Sequence, residues 1–177
     1  MANSAFQEII SEIAHFAATA KDFASLQEFS VSLIAERLPY YNWVGFYMLA
    51  PGDDNALLLG PFHGAPTEHL RIPVTEGICG AAVAQGETVI VEDVASDPRY
   101  LSCSIDTKSE IVVPIRAHGK IVGEIDIDSH DLRAFGPDDR SFLEESAVIF
   151  GQFLEKKDKE QNDKPTAQAA LAKCDGE

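Results

Sequence analysis

Glu110 precedes the run Ile111-Val112-Val113-Pro114-Ile115, and Glu124, Asp126 and Asp128 alternate with Ile125 and Ile127 a dozen residues on. Cys103 stands seven residues before Glu110, between Ser102 and Ser104 and ahead of Asp106 and Lys108. A carboxyl among other carboxyls can stay protonated and give up that proton, and a cluster of them can hold a cation. A thiol in a polar, reachable loop is a candidate nucleophile. The chemistry within reach is therefore thiol attack assisted by a carboxylic acid, capture of a cationic ligand, or both in one pocket.

Two strands must position the acids, Ile111 to Arg116 and Lys120 to Asp128, joined at His118-Gly119. Strand side chains alternate with period two, so the odd-numbered aliphatics claim one face and the acids the other. A two-residue loop would join odd positions to even ones and split the isoleucines between layers. The pattern predicts a three-residue loop, Ala117 to Gly119, with Gly119 left-handed, Arg116 opposite Lys120, and Glu110 directly opposite Asp126. Like charges so placed are destabilising. Either the face is wet and screening weakens the repulsion, or the aperiodic stretch from Glu92 to Ser109 covers it and makes a pocket.

Other residues carry two readings. Trp43 and Tyr47 are four apart and share a strand face, as core packing or as an aromatic wall suited to an ammonium or thioether group. Cys79, between Gly77 and Gly80, is a small core thiol or a thiol beside a helix start that favours thiolate. Cys174 lies in the tail. His69, His118 and His130 show no ligand spacing with the cysteines, so no metal site is expected. Gly77, Gly80 and Gly86 do not make a phosphate-cradling loop.

The rest of the chain supplies the frame. Phe6, Ile9, Ile13 and Phe16 mark a first helix, and Asp22 caps a second that Pro39 stops. Strands are expected over Tyr41 to Leu49, Ala56 to Phe62, Leu70 to Val74 and Thr88 to Val91, with a short helix from Cys79 to Gln85. A last helix is capped by Asp138 or Asp139. Tight connections between strands favour an α+β fold, a single antiparallel sheet flanked by helices, over a doubly wound one. The length of 177 residues suits one domain over 1–154, with 155–177 a charged, frayed tail. A net charge of −15 repels phosphate backbones and anionic lipid, which argues against nucleic-acid and membrane partners. Three cysteines and no signal or membrane-spanning pattern lead to a cytoplasmic expectation.

Taken together, Asn42-Trp43-Val44-Gly45-Phe46-Tyr47, Leu59-Gly60-Pro61-Phe62, Arg71-Ile72-Pro73 leading to Gly77-Ile78-Cys79-Gly80, Cys103, Ser109-Glu110-Ile111-Val112-Val113-Pro114 and Asp126-Ile127-Asp128-Ser129 resemble the free methionine-(R)-sulfoxide reductases, a branch of the GAF domain family. The resemblance runs from about Gln7 to Leu154. It implies a GAF fold, often a homodimer, that reduces free methionine-(R)-sulfoxide without a cofactor and is recycled by thioredoxin or another dithiol. It implies Cys103 as the catalytic cysteine, Glu110 or Asp126 as the acid, and Trp43, Tyr47 and Asp128 as substrate-binding residues. The family commonly has a further cysteine ten residues ahead of the position of Cys79, where this chain has His69, which leaves Cys79 as the resolving candidate. A non-catalytic GAF sensor of a small cationic ligand is the alternative.

Overall fold

The computed structural model describes residues 2–101 and 104–163; Cys103 and Cys174 lie outside the described residues. Helix α1 (Ala2–Ala17) buries Phe6, Ile9 and Ile13 on one stripe. Helix α2 (Phe23–Arg37) starts where the Asp22 carboxylate accepts the Ser25 N–H at 2.9 Å, and it stops before Pro39, which cannot continue it. Then come β1 (Trp43–Ala50), β2 (Asp53–His63), β3 (Arg71–Pro73), α3 (Gly77–Gln85), β4 (Val89–Val91), β5 (Ser109–Ala117), β6 (Lys120–Ser129) and α4 (Pro137–Asn162). One sheet of order β3-β2-β1-β6-β5-β4, antiparallel at each described pairing, holds all six strands. The expected α+β class is what forms.

Alternation divides the molecule. Val44 and Phe46 of β1, Ile111, Val113 and Ile115 of β5, and Ile125 and Ile127 of β6 pack with α1, α2 and α4 in one core. The intervening residues face the other way, where Trp43, Tyr47 and Val112 meet Ile78, Cys79 and Ala82 of α3. The sheet thus has an apolar helix-covered face and a mixed face under α3.

The β5–β6 turn corrects the expected register. It is the two-residue loop that the parity argument excludes, with His118 (φ 50°) and Gly119 (φ 74°) both left-handed and Ala117 paired with Lys120. Parity is restored by a bulge: Arg116 pairs with Ile121 but Ile115 pairs with Gly123, so Val122 is an extra residue. From there odd meets odd, Ile111 faces Ile127, and Glu110 faces Asp128 instead of Asp126. Helix α4 passes so close that a Cβ on Gly151 would collide with the Arg116 carbonyl, and Glu155 accepts the His118 N–H.

The last helix departs from expectation at both ends. Gly136 is its N-cap and Pro137 its first residue, while Asp139, at the third position, accepts the Gly136 N–H at 2.8 Å. Asp139 Oδ1 also accepts the hydroxyls of Tyr40 at 2.5 Å and Tyr41 at 2.9 Å, which ties the entry of β1 to α4. Removing an acceptor shared by buried Tyr41 and half-buried Tyr40 and Gly136 costs about 2–4 kcal/mol, so Asp139→Ala should lower unfolding free energy by that amount in urea titration. A loss below about 0.5 kcal/mol would mean the clasp is ornamental. At the other end the helix continues past Leu154, where a tail was expected, to Asn162. Lys156 and Lys157 pair with Glu160, and the Lys157 ammonium lies 5.3 Å from the Phe153 ring centroid.

Candidate active site

Three cross-strand rows build the floor of the site. Trp43 of β1, Asp128 of β6, Glu110 of β5 and Val91 of β4 pair in the first. Gly45, Asp126, Val112 and Val89 make the second, and Tyr47, Glu124 and Pro114 the third. All four acids therefore share the face under α3. Glycine is required at the centre, because a Cβ on Gly45 would run into the Trp43 indole that lies across it. The indole stacks 5.5 Å from Phe62 and 6.3 Å from Tyr47, between centroids.

Burial decides between the two readings of this face. Glu110 is 5% exposed, Glu124 0%, Asp126 1% and Asp128 2%, so screening by water does not explain the cluster. On this face Ile78 and Cys79 of α3 pack with Trp43, Tyr47 and Val112, and Tyr100 and Leu101 pack against that cluster. The long connection is stitched at its ends, where Val94 donates to the Lys108 carbonyl, Lys108 donates to the Ser129 carbonyl, and the Ser109 hydroxyl donates to the Asp131 carbonyl. Within it, Arg99 forks onto Asp97 at 2.6 and 2.9 Å. A separate groove between α4 and the sheet edge is lined by Thr88, Arg116, Arg140 and Glu144 and holds no cysteine.

The aromatic donors are spent on a loop. Trp43 Nε1 donates to the Ala65 carbonyl at 3.1 Å and Tyr47 Oη donates to the His69 carbonyl at 2.8 Å. The two rings thus offer faces and edges to the pocket, and the connection from β2 to β3 holds them in place. No spacing rule would have found these ties.

Cys79 sits in the first turn of α3, buried, with its thiol donating to Asp126 Oδ2 at 3.6 Å. The helix start does not produce a thiolate here. Loss of solvent pushes the thiol well up from its ordinary value, and the nearby carboxyls of Asp126, Glu124 and Glu110 push it the same way. Cys79 is a protonated thiol embedded among acids.

The acids themselves are held up mainly by burial. Glu110 is raised well above an ordinary glutamate, first by loss of water and then by Asp126, Asp128 and Glu124. Asp128 is raised by burial and by Asp126, with Thr107 beside it pulling the other way. Asp126 is raised by burial and by Glu124. Burial also lifts Glu124 to about 8, against a small opposing pull from the Cys79 thiol. Neither oxygen of Glu124, nor Oδ1 of Asp126 or Asp128, has a hydrogen-bond partner among the described residues. Burial thus favours the protonated form of each acid, and a carboxyl so held can release a proton to a ligand that carries positive charge or breaks a bond to oxygen.

Glu124 is the residue that sequence reasoning left without a role, although its place in the 124, 126, 128 alternation put it on this face. It also sets a pH dependence. Below about pH 4.5 the carboxyl is protonated folded and unfolded; between there and about 8 only the unfolded chain loses the proton, so stability falls as pH rises. A shift of that size corresponds to on the order of 4–5 kcal/mol. Glu124→Gln should flatten the decline in unfolding free energy between pH 5 and pH 8 by a large part of this. An unchanged slope in urea titrations would remove Glu124 as its cause.

The structure therefore brings together Trp43, Tyr47, Cys79, Glu110, Asp126 and Asp128. No described helix is long and apolar enough to cross a membrane.

The GAF domain family matches residues 20–155. The free methionine-R-sulfoxide reductase of Saccharomyces cerevisiae is 43% identical over 112 residues, 63% of this chain and 62% of that protein. The protein of the same name from Escherichia coli is 40% identical over 112 residues, 63% of this chain and 66% of its own. In both, the chain spans less than two thirds of the relative's length. A solved structure described as free methionine-R-sulfoxide reductase from Neisseria meningitidis in complex with its substrate superposes with a TM-score of 0.82 at 33% identity, covering 88% of this chain and 91% of that one. The match over residues 20–155 and the likeness to the Neisseria structure over most of both chains agree: this chain belongs to the GAF domain family, on the branch of the free methionine-R-sulfoxide reductases.

Proposed function

We propose that this chain reduces free methionine-(R)-sulfoxide to methionine. The observation that carries the reading is the buried row of Trp43, Asp128 and Glu110 with Asp126 in the next row: aromatic faces beside carboxyls that can hold an ammonium and give up a proton. Substrate binding in the Neisseria relative supports it.

Cys103 is the nucleophile. Its thiolate attacks the sulfoxide sulfur while Glu110, or Asp126 beside it, passes a proton to the departing oxygen. The S–O bond breaks and the oxygen leaves as water; water then attacks the Cys103 sulfur and breaks the transient S–S bond, so the substrate sulfur gains two electrons and leaves as methionine while Cys103 becomes a sulfenic acid. Asp128 and the Trp43 and Tyr47 rings hold the substrate. Cys79 then condenses with the sulfenic acid, releasing water and forming a disulfide that thioredoxin or a similar dithiol reduces. The chain works in a reducing compartment, the cytoplasm, as a homodimer.

The test is methionine formation from the separate R and S epimers with dithiothreitol. Turnover of the R epimer alone supports the reading. Binding of the R epimer without any methionine formed would instead make the chain a ligand sensor. For the resolving step, Cys79→Ser should still form one methionine per chain but cycle slowly with a dithiol protein. Unimpaired cycling would place resolution elsewhere.

A further inference from the structure

Three elements bring one ligand-type atom each to a common point: Cys79 from α3, Glu110 from β5 and Asp126 from β6. The three atoms lie within 4.8 Å of one another and all three residues are buried. The Cys79 Sγ to Asp126 Oδ2 distance is 3.6 Å. A tetrahedral zinc ion with Zn–S of about 2.3 Å and Zn–O of about 2.0–2.2 Å sets sulfur and oxygen roughly 3.5–3.7 Å apart, so one edge of the coordination polyhedron is already at length. Sequence spacing misses the site because its members are 31 and 16 residues apart.

An independent observation points to a cation. Asp126 Oδ1, Asp128 Oδ1 and both oxygens of Glu124 are buried and without partners among the described residues, and none of the four acids enters an ion pair there. Buried polar atoms are normally satisfied, and four in one cluster mark a place where a ligand belongs.

We propose that Cys79, Glu110 and Asp126 form a binding site for a borderline divalent cation, with Zn2+ the type. Sulfur among the donors selects against Mg2+ and Ca2+, and two carboxylates with one thiolate balance the charge of the ion with one negative charge left over. Binding displaces to solvent the proton of the Cys79 thiol and those that the Glu110 and Asp126 carboxyls carry, and the fourth position is open to water. The ion occupies the space beside Glu110 and Asp126, so metal and sulfoxide exclude each other. Only that competition rests on the reductase reading; the site itself does not.

The experiment is a titration of the full chain, stripped with a chelator and fully reduced, with Zn2+ against a chromophoric competitor and with Cd2+ for its thiolate charge-transfer band. The wild type should bind one Zn2+ per chain and show the band. Cys79→Ser should lose the band and weaken binding by about 100-fold or more, Asp126→Asn should weaken binding with the fold intact by circular dichroism, and Cys103→Ser should keep both signals. Failure of the wild type to bind Zn2+ at micromolar concentration overturns the proposal. So does a band that survives Cys79→Ser and vanishes in Cys103→Ser. Zinc binding through Cys79 in a chain that forms no methionine would keep the site and refute the reductase reading; turnover with no zinc bound would do the reverse.

Discussion

Cys103→Ser is expected to reduce methionine formation by at least about 10³-fold, because a serine hydroxyl at its free pKa is a far weaker nucleophile than a cysteine thiolate. Affinity for free methionine-(R)-sulfoxide should change little, since the contacts assigned to binding belong to Trp43, Tyr47 and Asp128. Methionine release with dithiothreitol and calorimetric titration of the variant measure the two quantities separately. Retained turnover would remove Cys103 from the chemistry and leave the buried thiol of Cys79 as the candidate.

Glu110→Gln is expected to lower kcat by about 10²–10⁴, the range for loss of a positioned general acid. The substitution is isosteric and puts a neutral amide where burial favours the neutral form of the carboxyl, so folding should be little affected. The pH profile gives a second readout. Burial and three neighbouring carboxyls hold Glu110 well above the ordinary range, so the wild type should lose activity on an alkaline limb as that proton leaves. The variant should lack the limb. A rise in KM with kcat and limb intact would move Glu110 from proton transfer to binding, and Asp126 would become the acid.

The acidic face was legible because alternation is a strong constraint. Isoleucines at odd positions 111, 115, 125 and 127 force the even acids onto one surface whatever the turn does. The turn itself was not legible, since two offsets of one residue add: the shorter loop at His118-Gly119 shifts the pairing by one and the bulge at Val122 shifts it by one more in the same direction, which restores parity two residues along. Sequence pattern fixes the parity of a hairpin but not where an extra residue is absorbed. The partner of Glu110 changed from Asp126 to Asp128 for that reason alone.

The thiol of Cys79 illustrates another limit. A helix start favours thiolate when the site is wet; here desolvation and three carboxyls outweigh it, and those carboxyls come from strands 31 to 47 residues away. Composition alone does not reveal the end of α4. Residues 155–162 carry few bulky apolar groups, yet Lys, Glu and Gln are good helix formers and the helix they extend is already anchored by Phe150 and Phe153.

Trp43 is the sole tryptophan in the chain, and its indole lies over Gly45, one row from Asp128 and against Phe62. Tryptophan emission, excited beyond the absorption of the four tyrosines, therefore has a single origin, placed at the acid cluster. Occupancy of the cluster can be followed on the unlabelled molecule, in real time and without turnover, which separates the arrival of a ligand from whatever happens to it afterwards.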